Sequence, residues 1–130
     1  MMKKIFILLL TLLACRSSLA DTCPAVGSFT FSAPPPGWTF LVLPIEPSIG
    51  MENYSFSSAI HSLNGTFYYK QVICRYDVCP SFLCPAFTLI SNKTYEQPGE
   101  VRAPWNHRSV IAFTLTCMPG DHDPAHCVFQ

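Results

Sequence analysis

Positive charge is what this sequence most lacks. Lys3, Lys4 and Arg16 sit near the start, and only Lys70, Arg75, Lys93, Arg102 and Arg108 lie beyond. These five are scattered among eight acidic residues, leaving the chain after position 20 with a net charge near minus three. Neutralising several phosphates from one face needs clustered cations, so nucleic acid is excluded as a partner. Beyond position 20 no apolar run reaches the roughly 18 residues of a membrane-crossing helix, which excludes a span there. The cysteines lack the paired CxxC spacing of zinc ribbons, fingers and thioredoxin-like redox centres. There is no GxSxG elbow, no internal repeat and no low-complexity tract.

The start of the chain is the strongest positive signal. Lys3 and Lys4 precede an apolar stretch from Ile5 to Ala14, and small residues follow at Ser18 and Ala20. That order is a secretory signal peptide over residues 1–20 with cleavage before Asp21. The short lysine-led start is of bacterial type, which places the product in the periplasm or the medium. Leu12-Leu13-Ala14-Cys15 also resembles a lipobox, whose cysteine would carry a lipid anchor. Leu13 stands where a small residue is usual, so soluble export is the expectation and an anchor at Cys15 the alternative. Residues 21–130 then form a single domain.

Six cysteines follow the leader: Cys23, Cys74, Cys79, Cys84, Cys117 and Cys127. In an oxidising compartment they read as up to three disulfides, in fifteen connectivities that spacing cannot choose among. Cys23 with Cys74, Cys79 with Cys84 and Cys117 with Cys127 is a working assignment without a derivation.

Twelve prolines argue against long helices. Ser28 to Ser32 alternates apolar and polar residues and is expected to be a strand, broken by a stiff link at Pro34-Pro35-Pro36. Trp38 to Leu43 is a second strand. Asn64-Gly65, between Tyr54 and Tyr76, predicts a type I′ hairpin in which Ile60 faces Tyr69 and Phe56 faces Ile73. Of its two faces, the one bearing Phe56, Ile60, Phe67, Tyr69 and Ile73 is the expected core face. The other carries Ala59, His61, Tyr68, Val72, Cys74 and Tyr76. Asp77 to Pro85 reads as a stapled loop. Ala86 to Ser91 and Arg108 to Met118 read as further strands, and Pro119 to Gln130 as a turn-rich tail. The fold class is mainly β: a small antiparallel sandwich or curled meander stapled by up to three disulfides.

Several residue groups could carry chemistry. Asp121, His122, Asp123 and His126 are the metal candidates, since zinc accepts imidazole and carboxylate ligands. Pro124 between the histidines prevents a helical ligand face, so a solvated turn is favoured over a metal site, and no cofactor is expected. Ser57, Ser58, His61 and Asp77 offer the residue types of a nucleophile, base and orienting acid. Glu46, Glu52, Glu96 and Glu100 could supply paired carboxylates, but all lie in loops. Trp105, His107 and Tyr95 are candidate ligand contacts, because exposed aromatics beside polar groups stack on sugars or anchor proteins. For Trp105 the reading favoured over this is that it caps the core beneath its loop. Asn53, Asn64 and Asn92 begin sequons, which would matter in a eukaryotic source and are inert in a bacterium.

Cys23-Pro24, Gly37-Trp38, Phe56 with Ala59, and Cys74-Arg75-Tyr76 at a strand end together carry a resemblance. They resemble a family of small exported bacterial proteins of unknown function. The resemblance covers the first half of the exported part. It implies an exported β-rich domain with Cys23 paired to Cys74, and it brings no catalytic residues. The cysteines from Cys79 onward depart from its pattern. The expectation is a binding or interaction module at the cell envelope or outside the cell, with a protein or glycan partner. A metal-assisted or carboxylate-dependent hydrolase is the alternative.

Overall fold

A computed structural model describes residues 21–62, 68–79, 81, 83–96, 105, 107–109 and 114–130. The expected leader with Cys15, and the Asn64-Gly65 turn, lie outside the described residues. The described strands are β1 (Trp38–Val42), β2 (Ser55–Ser62), β3 (Val72–Asp77), β4 (Ala86–Ser91), β5 (His107–Ser109) and β6 (Thr114–Cys117). They form one antiparallel sheet in the order β1-β4-β3-β2-β6-β5. The chain is mainly β as expected, and its described strands build one sheet instead of a two-sheet sandwich. The only described helices are single 3-10 turns, Met51–Asn53 and Pro124–His126.

The core lies on one face of this sheet. Phe40, Leu89, Cys74, Ala59 and Cys117 stand opposite one another in a row across five strands. A second row joins Phe56, Tyr76 and Phe87. The Tyr76 and Phe87 rings stack with centroids 4.8 Å apart. Phe29, Phe31 and Tyr54 close over Phe87 edge-on, at 6.0, 5.1 and 5.1 Å. Each fully buried ring of this cluster is worth about 1.5–3 kcal/mol of apolar transfer. Such tilted and stacked pairs add specificity beyond area.

Three disulfides form, Cys23–Cys74, Cys79–Cys84 and Cys117–Cys127, with Cα separations of 5.9, 5.7 and 5.8 Å; the first and third hold covering segments to that face, and the second closes the loop between β3 and β4. The first fixes the segment before β1 beneath the sheet, and the Tyr76 hydroxyl donates to the Pro24 carbonyl at 2.5 Å. The third ties β6 to the tail, where Phe129 pairs with Asp21 through two backbone hydrogen bonds of 2.8 and 2.9 Å. Phe129 is fully buried against Tyr95 and Trp38.

Four sequence expectations are corrected. The face bearing Ala59, His61, Val72, Cys74 and Tyr76 is the buried one, not that bearing Ile60 and Ile73. Most of its polar atoms are accommodated there: Cys74 is bridged, Tyr76 is hydrogen-bonded, and His61 Nε2 donates to the Tyr95 carbonyl at 2.7 Å, leaving only His61 Nδ1 buried without a partner among the described residues. Phe56 joins that face because the ladder skips a residue between Phe56 and Ser58, reversing its parity. Second, Ile60 faces Ile73 and Phe56 faces Tyr76, four and three positions from the expected register, the difference being the skipped residue. Lys70 N–H already reaches the Ser62 carbonyl at 2.7 Å, and Tyr68 and Lys70 take left-handed φ values of 60° and 59°. Tyr69 therefore sits in the reversal, outside the ladder. Third, Ser28–Ser32 is no strand. Thr30 and Ala33 pair with each other around a tight turn, although Phe29 and Phe31 do point inward. Fourth, Arg108–Met118 is not one strand: β5 and β6 are two strands of a hairpin, with His107 opposite Thr116.

Candidate functional site

The tail cluster forms as a turn. Asp123 caps the Pro124–His126 turn by accepting from Ala125 N–H at 2.9 Å, and Asp121 accepts from Asp123 N–H at 3.1 Å. His126 Nδ1 lies 3.0 Å from Asp121 Oδ2. Asp121, Asp123 and His126 thus bring their potential ligand atoms within 4.8 Å of one another, all exposed. His122 does not join them, because its Nδ1 turns to the Phe56 carbonyl at 3.0 Å. The Asp123 N–H, and then His126, hold the Asp121 carboxyl below its usual range.

The residues of a hydrolytic triad are not assembled. His61 is fully buried at the far end of β2, opposite Val72, whereas Asp77 lies at the other end of β3. Five strand residues separate those two levels, about 17 Å at the usual rise. Asp77 instead accepts from Arg75 Nε at 3.5 Å. Among the loop carboxylates, Glu96 pairs with Lys70 at 2.6 Å, and Glu46 and Glu52 are exposed. Glu100 lies outside the described residues.

The aromatic contact set is corrected. Trp105 is 3 % exposed and donates its indole N–H to the Val128 carbonyl at 2.9 Å. Tyr95 is 6 % exposed and donates its hydroxyl to Asp21 Oδ2 at 2.7 Å. Burial, reinforced by the Asp21 carboxylate, pushes the Tyr95 phenol above its ordinary value. Both rings belong to the core beneath their loops, so neither presents a stacking surface. His107 is placed on β5.

The surface that stands open is elsewhere. Of the large apolar side chains exposed among the described residues, Val42, Leu43, Ile45, Val78 and Leu83 gather at one end of the sheet. Val42 ends β1 opposite Thr88, and Val78 N–H bonds the Pro85 carbonyl beyond the last β3–β4 pair. Ile45 and Leu83 are the most open of these, at 93 % and 81 %. They flank a cleft of about 330 Å³ lined by Ile45, Glu46, Arg75, Leu83, Cys84, Pro85 and Ala86. Its elements come from three places. Pro44 stops β1 and turns Ile45-Glu46 outward, the Cys79–Cys84 bridge folds Leu83–Pro85 back, and β3 supplies Arg75. Arg75 and Ala86 lie on the sheet face opposite the core.

Sequence reasoning missed this cleft. Its one local signal is a large apolar residue between Pro44 and Glu46, where a loop gains nothing from exposing one. No protein-family model, curated protein or solved structure matches the chain.

Proposed function

We propose that the chain is an exported, disulfide-stapled binding module whose contact surface is the sheet end carrying Val42, Leu43, Ile45, Val78 and Leu83. The observation that carries this reading is the clustering of exposed apolar side chains around a cleft. A surface of that kind, rimmed by polar groups, is costly to leave in water without a partner. Three disulfides support an oxidising address, and the signal-like start supports export to the periplasm or medium. The resemblance to small exported bacterial proteins points the same way. The test is a photo-crosslinking residue placed at Ile45 or Leu83 in cells that make the protein. A recurrent product from these positions, absent from the likewise exposed Met118, is the expected result. Labelling that is no different at Met118 would falsify the assignment.

A further inference from the structure

The cleft at this sheet end is not uniformly apolar, and its two charges define what fits. Asp77, whose side chain is only 4 % exposed, holds the Nε edge of Arg75 at 3.5 Å. Among the described residues the Nη edge of that guanidinium has no hydrogen-bond or ion-pair partner, and neither does the Glu46 carboxylate, whose charge is felt by the Tyr54 phenol. Both groups line the same cleft, yet they are not paired with each other. Ile45, Leu83, Pro85 and Ala86 line the same cleft.

Each simpler ligand class leaves one of these charges wrong. An apolar anion would meet Arg75, already half balanced by Asp77, and be repelled by Glu46. An apolar cation would meet Glu46 and be repelled by Arg75. An uncharged apolar group would bury both ions unpaired, which is costly in a confined site. A zwitterion with an apolar side chain satisfies all three features. Its carboxylate takes the Nη edge in the forked geometry arginine favours. Its ammonium takes Glu46, and its side chain covers Ile45 and Leu83. A cleft of about 330 Å³ suits a small ligand whose own two charges are close together. Each residue of an extended peptide would part them by about a further 3.3–3.6 Å.

We propose that this cleft binds a free apolar α-amino acid, with Arg75 on the carboxylate and Glu46 on the ammonium. The proposal rests on the binding-module reading and names the ligand class of its surface. Asp77 is then a positioning residue that fixes the guanidinium by its Nε.

The test is calorimetric titration of the disulfide-intact protein with four probes: L-leucine, L-leucine amide, N-acetyl-L-leucine and glycine. L-leucine is expected to bind, and each of the others, lacking one of the three features, to bind at least about ten-fold more weakly. Glu46 is exposed, so Glu46→Gln leaves the fold intact. It should weaken L-leucine roughly ten- to a hundred-fold while N-acetyl-L-leucine binds no more weakly, and more tightly where the lost repulsion is felt. Arg75→Gln should show the converse selectivity, losing L-leucine but not its amide. Three results would each overturn the proposal: no uptake of L-leucine at millimolar concentration, equal binding of N-acetyl-L-leucine, or a Glu46→Gln variant that does not separate the two. If L-leucine fails while Ile45 still crosslinks a partner, only the ligand class falls. If both fail, the binding surface itself is refuted.

Discussion

Removing the disulfides one at a time should destabilise the protein in the order Cys23–Cys74, then Cys117–Cys127, then Cys79–Cys84. The bridged residues are 51, 10 and 5 positions apart. In the chain-entropy account the cost of cutting a loop grows with the logarithm of its length, giving about 4, 2.7 and 2 kcal/mol respectively. Packing widens the gap. Cys23 and Cys74 are 2 % and 0 % exposed, and Cys117 and Cys127 are fully buried, whereas Cys79 and Cys84 are half-buried. Replacing a buried pair by alanine therefore adds about 1–2 kcal/mol of lost contact that the outer bridge does not incur. The three loops follow one another along the chain without nesting, so the effects should be nearly additive.

A total net stability of about 5–15 kcal/mol is usual for a domain. Cys23→Ala with Cys74→Ala alone, at about 5–6 kcal/mol, takes the protein to the edge of unfolding. The assay is urea denaturation of each double variant followed by near-ultraviolet circular dichroism. The outer-loop variant should stay folded with a midpoint about 2 M above that of the Cys23/Cys74 variant. Equal midpoints for these two variants, or a lower one for the Cys79/Cys84 variant, would refute the idea that Cys23–Cys74 anchors the cover to the sheet. Dithiothreitol should act on the whole protein as the sum of the three and unfold it.

Burial also raises the Tyr76 phenol well above its ordinary value of 10. Because the unfolded chain ionises near that value and the folded one does not, the contribution of Tyr76 and Tyr95 is complete below about pH 10 and is lost as pH rises from there toward their folded values. Ultraviolet titration should find three tyrosines, Tyr54, Tyr76 and Tyr95, late to ionise, and urea midpoints should fall between about pH 10 and 11. In a Trp38→Phe background the emission of Trp105 should resist acrylamide quenching, and Trp105→Ala should cost about 3–5 kcal/mol in the same denaturation assay. Ready quenching would restore it as a surface contact. Equilibrium dialysis should find no stoichiometric zinc at micromolar concentration, because the Asp121 and Asp123 oxygens are engaged in turn hydrogen bonds and all three side chains are solvated. Tight uptake lost in His126→Ala but kept in His122→Ala would instead establish a metal centre there.

Local pattern made part of the fold legible. Ala86-Phe87-Thr88-Leu89-Ile90-Ser91 is β4 to the residue, because Pro85 bars a ladder donor on one side and polar Asn92 follows on the other. The loop before it was equally readable from its two prolines and two cysteines, although the Cys79–Cys84 pairing itself was not fixed by spacing. What failed needed long-range information. The β2–β3 register depends on a reversal around Tyr68 and Lys70, residues with no turn signature, and the Phe56 parity depends on a skipped residue that alternation cannot reveal. The cleft joins Glu46, Arg75 and Leu83, which neighbour one another only because β1 crosses over to pair with β4.

The misjudged core face shows where a physical signal was present and outweighed. Counting apolar residues favoured Ile60 and Ile73, while the opposite face offered His61, Cys74 and Tyr76. Burial, however, selects polar atoms that can be satisfied, not the longest apolar tally. Cys74 was the informative residue. A cysteine inside a strand, bridged to one that precedes the whole sheet, must point toward whatever that preceding segment covers. Cys23 lies in such a segment, so bridging it to Cys74 makes the Cys74 face the covered one. Ala59, opposite Cys74, and Cys117, opposite Ala59, then fall on that face by register alone. In a small disulfide-rich sheet the side on which a strand cysteine stands is therefore a better guide to the core than hydrophobicity, and here it leaves the other face, with Arg75, free to line a site.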